Sequence, residues 1–250
     1  MDSTIDHVTL NVSDLEASQS WYREHLDYTE RDRQSFDGHT SVFMAPSSAD
    51  DAEAHLELRE TPDGDVEVGD AWGHIAVRVE DLYEAYEGLM DAGVPDYRDP
   101  DSCGGNYAFV KDPDGHEVEI VPRDFGSPWS IDHVMMRVED ADRAIGFWTR
   151  KFEYEHVGRW EADTFANFFM RPPEAPRESL AVELTYNYDG RTYTIGNAWD
   201  HVGIGVDNLD DAWSRMTIRE APIISEPVEE SPAYGFISDP EGHKVELFET

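Results

Sequence analysis

One pattern is written four times in this chain, and it constrains the fold more than any other feature. Each copy has histidine as its third residue, continues as an alternating strand that ends in valine, and passes through an acidic or asparagine cap into an amphipathic helix. The copies are IDHVTLNVSDLEASQSWY from Ile5, WGHIAVRVEDLYEAYEGL from Trp72, IDHVMMRVEDADRAIGFW from Ile131 and WDHVGIGVDNLDDAWSRM from Trp199. Further short strands follow each helix, for example TSVFMA, AHLELRE, YAFVKDP and HEVEIVP in the first half. The repeated unit is therefore predicted to be βαβββ, and the fold class α+β with curved mixed sheets.

The four units pair into two larger repeats, residues 1–123 and 129–250, joined by the short connection RDFGSP. The register between the repeats is tight, since equivalent residues are 126 or 127 positions apart, with one residue inserted between Glu183 and His201. The turn sequences DPDGHEVEIVPR from Asp112 and DPEGHKVELFET from Asp239 follow the same spacing. The chain thus reads as a duplicated and fused protein, and we expect that a monomer can contain both copies of any site.

Eight histidines and glutamates recur at equivalent positions in these strands. Side chains alternate between the two faces of a strand, so in HVTLNV the residues Val8, Leu10 and Val12 share one face and His7 lies on the other. The same arithmetic places all eight opposite the apolar face: His7, Glu57, His74, Glu119, His133, Glu183, His201 and Glu246. If the apolar faces pack on the helices, the opposite faces can curl into cups lined with imidazole and carboxylate.

These residue types indicate a metal site. A partly buried carboxylate is costly unless it is paired or bound to a cation. Two His and two Glu form a mixed nitrogen and oxygen set that suits Ni, Co, Zn, Fe or Mn, and an octahedral ion so bound keeps two open positions for chemistry. A single histidine or glutamate on a strand usually just faces solvent, so the prediction depends on the eightfold repetition. His116 and His243 also recur, but they directly follow the turn glycine and are interpreted as loop residues.

The acidic composition indicates the ionic environment of the protein and does not indicate its reaction. The chain has 55 Asp and Glu against 19 Lys and Arg, a formal charge of −36 that repels nucleic acid and anionic membranes. The N-terminus lacks the features of a signal peptide, no run of about 18 apolar residues occurs, and the single cysteine, Cys103, excludes an internal disulfide. We expect a soluble, unexported protein in a cytoplasm of high ionic strength, as in a halophile.

The second half contains VELTYNYDGRTYTIGNAWDHVGIGVDNLDDA, in which a glutamate strand with a T-Y-N stretch precedes a G-x-A-x-x-H strand. This arrangement resembles the vicinal oxygen chelate superfamily, and within it most strongly the glyoxalase I (lactoylglutathione lyase) family. The resemblance occurs in both repeats, and together they cover nearly the whole chain. It implies paired βαβββ units around divalent metal ions, with the eight residues above as the ligands of two sites. It further implies that His7 and Glu57 join His201 and Glu246, and that His133 and Glu183 join His74 and Glu119; pairing within each repeat is the alternative.

The reaction that the resemblance implies converts the hemithioacetal of methylglyoxal and a small thiol into an S-lactoyl thioester. The metal stabilises the enediolate, Glu246 and Glu119 act as the base, and Glu183 and Glu57 are the facing carboxylates. The first half lacks the T-Y-N stretch, so the substrate contacts of one site should differ. Trp72 and Trp199 also stand where the family usually has a smaller or different aromatic residue.

Two other activities of the superfamily are alternatives. An extradiol ring-cleaving dioxygenase would use Fe(II) bound by His133, His201 and Glu246. Its signature expects a tyrosine three residues before the Asp of the D-P turn and a histidine seven residues earlier. Those places hold Phe236 and Glu229 in the second half, and Phe109 and Ser102 in the first. A binding protein of the bleomycin-resistance type would sequester a ligand without chemistry, but such proteins generally lack the metal residues.

Overall fold

The computed structural model describes residues 3–36, 38–50, 53–61, 64–228 and 233–250, so Glu229 lies outside the described part of the chain. The first unit comprises β1 (Ser3–Val12), α1 (Leu15–Leu26), β2 (Tyr28–Phe36), β3 (His39–Pro46) and β4 (His55–Glu60). The second comprises β5 (Trp72–Val79), α2 (Leu82–Asp91), β6 (Ala108–Lys111) and β7 (Glu117–Pro122). The third comprises β8 (Ile131–Val138), α3 (Ala141–Lys151), β9 (Glu155–Glu161), β10 (Phe165–Arg171) and β11 (Ala181–Asn187). The fourth comprises β12 (Trp199–Val206), α4 (Leu209–Ile218), β13 (Ile223–Ser225), β14 (Tyr234–Ser238) and β15 (Lys244–Glu249).

Each helix begins directly after the capping residue that the sequence indicates. These cap residues have an extended backbone, and their side chains accept hydrogen bonds from the first free N–H groups of the helices. They are Asp14, Asp81, Asp140 and Asn208, for α1 to α4 in that order. The apolar stripe of each helix then packs on the apolar face of a sheet, with Tyr22, Trp148 and Met216 fully buried in this core. The α+β fold with mixed sheets is as the sequence predicts.

The second unit departs from the βαβββ pattern in the residues described. Between α2 and β6 the backbone forms only an isolated bridge, from Arg98 to Phe109, and a short 3₁₀ turn at Asp101–Cys103. The segment contains Pro95 and Pro100, which lack an N–H for a strand ladder, followed by two glycines with positive φ. A regular strand is therefore replaced by a loop.

The two sheets each combine one unit from each repeat. An eight-stranded sheet has the order β13-β14-β15-β12-β1-β4-β3-β2, and a seven-stranded sheet has the order β6-β7-β5-β8-β11-β10-β9. The first and fourth units join through the antiparallel pair β1 and β12, and the second and third through β5 and β8. The first strand of each unit also pairs in parallel with the last strand of its own unit. Four adjacent strands therefore form the centre of each sheet.

Two tryptophans connect the sheets. Trp72 begins β5 and Trp199 begins β12, and their rings stack with centroids 5.4 Å apart and planes 3° from parallel. Both are almost fully buried. His116 lies edge-on to Trp199 and His243 lies edge-on to Trp72, with centroid distances of 5.6 and 4.9 Å. The contact between the sheets is thus an aromatic cluster related by the internal duplication.

His116 and His243 are loop residues by position, but they are completely buried and bridge the two repeats. His116 donates from Nδ1 to Asp112 and from Nε2 to the carbonyl of Ala198 in the second repeat, at 2.8 and 3.0 Å. His243 makes the equivalent bonds to Asp239 and to the carbonyl of Ala71, at 2.9 and 3.2 Å. Burial alone would lower the pKa of both imidazoles, but the neighbouring aspartates raise it. The histidine of each repeated D-P-x-G-H turn therefore forms a hydrogen bond that connects its own repeat to the other one.

Candidate metal centres

The eight-stranded sheet brings four of the predicted residues together at one point. We call this group site A: His7 on β1, Glu57 on β4, His201 on β12 and Glu246 on β15. The Nε2 atoms of the two histidines are 3.1 Å apart. The Oε2 atom of Glu246 lies 3.3 and 3.4 Å from these nitrogens, and the Oε2 atom of Glu57 lies 3.6 Å from both. Four nitrogen and oxygen donor atoms from four neighbouring strands thus converge.

The seven-stranded sheet repeats the arrangement in site B, formed by His74 on β5, Glu119 on β7, His133 on β8 and Glu183 on β11. The two Nε2 atoms are 3.2 Å apart, and the Oε2 atom of Glu119 lies 3.2 Å from His74 and 3.1 Å from His133. Glu183 is placed less evenly, with Oε2 at 2.8 Å from His133 and 4.0 Å from His74. Site B is therefore tightest around three of its four residues.

The grouping runs across the repeats, as the resemblance implied, and the alternative of pairing within each repeat is wrong. The dioxygenase triad of His133, His201 and Glu246 is also wrong as a single site, because His133 lies in site B and the other two in site A. Seven of the eight side chains are buried, and the side chain of Glu246 is 13% exposed. Buried carboxylates and imidazoles in such groups could hold a metal ion, and the most compact sets are His7, His201 and Glu246 in one site and His74, Glu119 and His133 in the other.

The distances among these atoms fit the donor set of a divalent ion. Two ligands placed about 2.1 Å from an ion and at right angles to each other are about 3.0 Å apart, and two opposite ligands are about 4.2 Å apart. The separations of 3.1 to 3.6 Å in site A are close to the first value. In site B, the 4.0 Å between His74 and Glu183 is close to the second.

The charges within each group compensate one another. Burial would lower the pKa of His7, but hydrogen bonds to Asp6 and Glu246 and the charge of Glu57 raise it to about 10. Burial would likewise raise the pKa of Glu119, but the imidazoles of His74 and His133 lower it to about 2. Without a cation, a protonated His7 thus offsets part of the carboxylate charge in site A, and a metal ion would have to displace this proton.

Four phenylalanines pack edge-on against the four imidazoles, a role that the sequence analysis did not predict for any of them. The pairs are His7 with Phe43, His74 with Phe109, His133 with Phe169 and His201 with Phe236, at centroid distances of 5.2 to 5.5 Å. Their spacing in the sequence was an available signal: Phe43 and Phe169 are 126 residues apart, and Phe109 and Phe236 are 127 apart. These rings shield the histidines from water on one side.

Hydroxyl groups support the glutamates differently in the two sites. Thr9 Oγ1 donates to Oε2 of Glu57 at 2.5 Å and lies 3.0 Å from Nε2 of His201. In site B the donor is Thr185 Oγ1, which lies 3.1 Å from Oε1 of Glu183. Thr9 comes from β1, whereas Thr185 comes from the same strand as its glutamate. The two sites are therefore related but unequal.

Both sites open into cavities with cationic side chains at their walls. The cavity over site A has a volume of about 340 Å³ and is lined by Arg31 and Arg59 among others. The cavity over site B is larger, about 640 Å³, and its lining includes Arg98, Arg123 and Arg137. Carboxylates share these walls, among them Asp6 and Asp32 over site A and Glu117 over site B, so the arginines offer local contacts for anionic groups and not a uniformly cationic surface.

The T-Y-N stretch falls in β11, where Thr185 and Asn187 line the cavity over site B. The residue equivalent to Thr185 in the first repeat is Arg59, which lines the cavity over site A. The difference that the sequence shows in the first half is thus a difference between the two cavities. None of the helices in the described part of the chain has the length and apolar character needed to cross a bilayer.

A protein-family model matches both repeats of this chain. The model described as the Glyoxalase/Bleomycin resistance protein/Dioxygenase superfamily matches residues 4–120 and again residues 130–247. The chain belongs to this superfamily. Among solved structures of the superfamily fold, glyoxalase I from Zea mays aligns with a TM-score of 0.88 at 23% identity, covering 99% of this chain and 92% of that chain. The resemblance stated from the sequence is confirmed, and the fold is that of glyoxalase I.

Curated members of the superfamily with related sequences are named lactoylglutathione lyases. A probable chloroplastic lactoylglutathione lyase from Arabidopsis thaliana is 32% identical over 230 residues, covering 88% of this chain and 65% of the relative. A putative lactoylglutathione lyase from Brassica oleracea var. gemmifera is 34% identical over 146 residues, or 57% of this chain and 51% of the relative. The lactoylglutathione lyase of Schizosaccharomyces pombe is 26% identical and covers 98% of this chain and 96% of the relative. The chain spans about half of the Brassica relative and about two thirds of the Arabidopsis relative.

Proposed function

We propose that this protein is a metal-dependent glyoxalase I-type lyase, which converts the hemithioacetal of methylglyoxal and a low-molecular-weight thiol into an S-lactoyl thioester. The observation that carries the proposal is the convergence of two imidazoles and two carboxylates from four adjacent strands, twice in one chain. The names of the relatives support the same reaction. Arginines in the walls of both cavities can pair with the carboxylate groups of a thiol that bears them.

The eight proposed ligands would hold Ni, Co, Zn, Mn or Fe, and the ion would supply stabilisation for the negative charge that develops on the substrate oxygens. The residues of the chain do the proton transfer. Oε2 of Glu246 in site A, or of Glu119 in site B, takes the proton from C1 of the hemithioacetal and returns it to C2. No external oxidant or reductant is needed, because C1 is oxidised as C2 is reduced.

The surroundings of each site prepare the glutamate for this task. Glu57 and Glu183 are the facing carboxylates, and their hydroxyl donors Thr9 and Thr185 fix their orientation. The phenylalanine rings cover one side of the imidazoles, which supports a site that is partly shielded from water. A ring-cleaving dioxygenase is less well supported, since Phe109 and Phe236 lack the hydroxyl of the tyrosine in its signature.

The deciding experiment is an assay in high salt with methylglyoxal and several small thiols, using purified protein of known metal content. We expect thioester formation that disappears when the metal is removed by a chelator and returns when a divalent ion is added back. Oxygen consumption with catechol and Fe(II), in place of thioester formation, would favour the dioxygenase. Tight binding of a drug by a metal-free protein without turnover would favour the bleomycin-resistance type.

Metal affinity should increase with pH. The pKa of His7 is raised to about 10 in the metal-free protein, so the imidazole is protonated at neutral pH and must lose its proton to bind an ion. The same raised pKa stabilises the metal-free fold below pH 6.5, and this contribution is lost as the pH rises towards 10. We expect the apparent affinity for Zn²⁺ to rise by about tenfold per pH unit for each displaced proton. Competition with a chelator at pH 7, 8 and 9 measures this, and an affinity that stays constant would contradict it.

A further inference from the structure

Three of the four imidazoles are held by the carboxylate of the residue that precedes them. His7 donates from Nδ1 to Asp6 at 2.8 Å, His133 to Asp132 at 2.9 Å, and His201 to Asp200 at 2.7 Å. This bond fixes the ring orientation and leaves Nε2 free to face the site. Such carboxylate partners orient metal-binding histidines in proteins and increase their affinity for the ion.

His74 is the exception, because Gly73 precedes it. The space that a side chain would need at this position is filled by Met135: a Cβ on Gly73 would lie 2.3 Å from Cε and 2.4 Å from Sδ of that methionine. The residue equivalent to Met135 in the first repeat is Thr9, which is much smaller and points its hydroxyl at Glu57. Glycine and methionine therefore occur together in site B, and aspartate and threonine in site A.

The carboxylate of Asp200 is itself fixed by cations. Lys244 Nζ lies 2.5 Å from its Oδ1 and Arg59 Nη1 lies 3.5 Å from its Oδ2. Asp132 is held in a comparable way by Arg78 and Arg123, each at 3.0 Å. Each aspartate is thus a well-anchored acceptor.

We propose that Asp200 is a positioning residue that makes site A the tighter of two unequal metal sites. Site A holds both imidazoles by carboxylates, whereas site B holds only one. The inference rests on the proposed function, since it requires that both sites bind a divalent ion. Loss of a carboxylate partner of this kind lowers metal affinity by about 10- to 100-fold, and the two sites should differ by a similar factor.

The test is a competition titration of the metal-free full-length chain with Zn²⁺ and a chelator at fixed high salt and pH. The native protein should show two classes of site, and His133→Ala should remove the weaker class while His201→Ala removes the tighter. Asp200→Gly copies the arrangement of site B into site A, so the two classes should merge. Asp200→Asn keeps an oxygen acceptor for Nδ1 and should keep most of the difference.

Asp132→Gly provides a second test that does not depend on the folding of the Asp200 variants. It removes the only such carboxylate of site B and should widen the gap between the classes. Equal affinities in the native protein, or a tight class that survives Asp200→Gly unchanged, would overturn the inference while leaving the proposed function intact. A native protein that binds no Zn²⁺ at either site would overturn both.

Discussion

Exchange of Glu119 and Glu246 together for glutamine should lower kcat for methylglyoxal and thiol by roughly 10²- to 10⁴-fold. Glutamine preserves the shape of each side chain and one oxygen that faces the imidazoles at 3.1 to 3.4 Å. It cannot accept the proton from C1. Metal binding should be weakened far less than turnover, because the two histidines and the facing glutamate remain in each site.

The two single variants assign the turnover to the sites. Glu246→Gln affects only site A and Glu119→Gln only site B, since the two groups lie in different sheets. If one site performs the reaction, one single variant should reproduce the loss of the double variant and the other should leave kcat unchanged. The matched control is Glu155→Gln, on the exposed edge strand β9. Full turnover in the double variant would show that neither glutamate is the base.

Replacement of Trp199 by alanine should lower the free energy of unfolding by about 3–5 kcal/mol. The ring is 3% exposed, stacks on Trp72 and touches His116, so its removal leaves a cavity between the two sheets. A typical domain has only about 5–15 kcal/mol of stability, and this loss is a large fraction of it. Chemical denaturation in constant high salt measures the change.

A surface tryptophan provides the control for this prediction. Trp160 on β9 is 47% exposed, and Trp160→Ala should change the free energy of unfolding by no more than about 0.5 kcal/mol. A double-mutant cycle with Trp72→Ala then isolates the contact, and a coupling of about 0.5–3 kcal/mol is expected for two stacked rings. Additive losses would mean that each tryptophan packs independently of the other.

The positions of the site residues could be predicted from the sequence because two short-range rules determine them. Alternation along a strand places a residue such as Glu57 opposite its apolar neighbours, whatever the strand pairs with. The spacing of 126 or 127 residues then distinguishes repeated residues from incidental ones. The helix caps are equally local, and Asp14 and Asn208 lie where the sequence indicates.

The grouping of those residues could not be derived in the same way. Whether β1 pairs with β12 or with a strand of its own repeat depends on contacts between distant segments, and the repeats are similar enough to offer both. The burial of His116 escaped prediction for the same reason, since its partner Ala198 is 82 residues away. The loop after α2 differs in this respect, because Pro95 and Pro100 lack the N–H of a strand ladder and this departure from the repeated unit is visible in the sequence.

The sharing of each sheet between the repeats has an evolutionary consequence. A free-standing single repeat would need a second copy of itself to complete either centre, and symmetry would make the two centres of such a homodimer identical. Once residues 123–128 join the copies, each half of the gene can mutate alone. The contrasts between Asp200 and Gly73, and between Thr9 and Met135, are differences of this kind between the two centres, so a fused chain can specialise each centre separately.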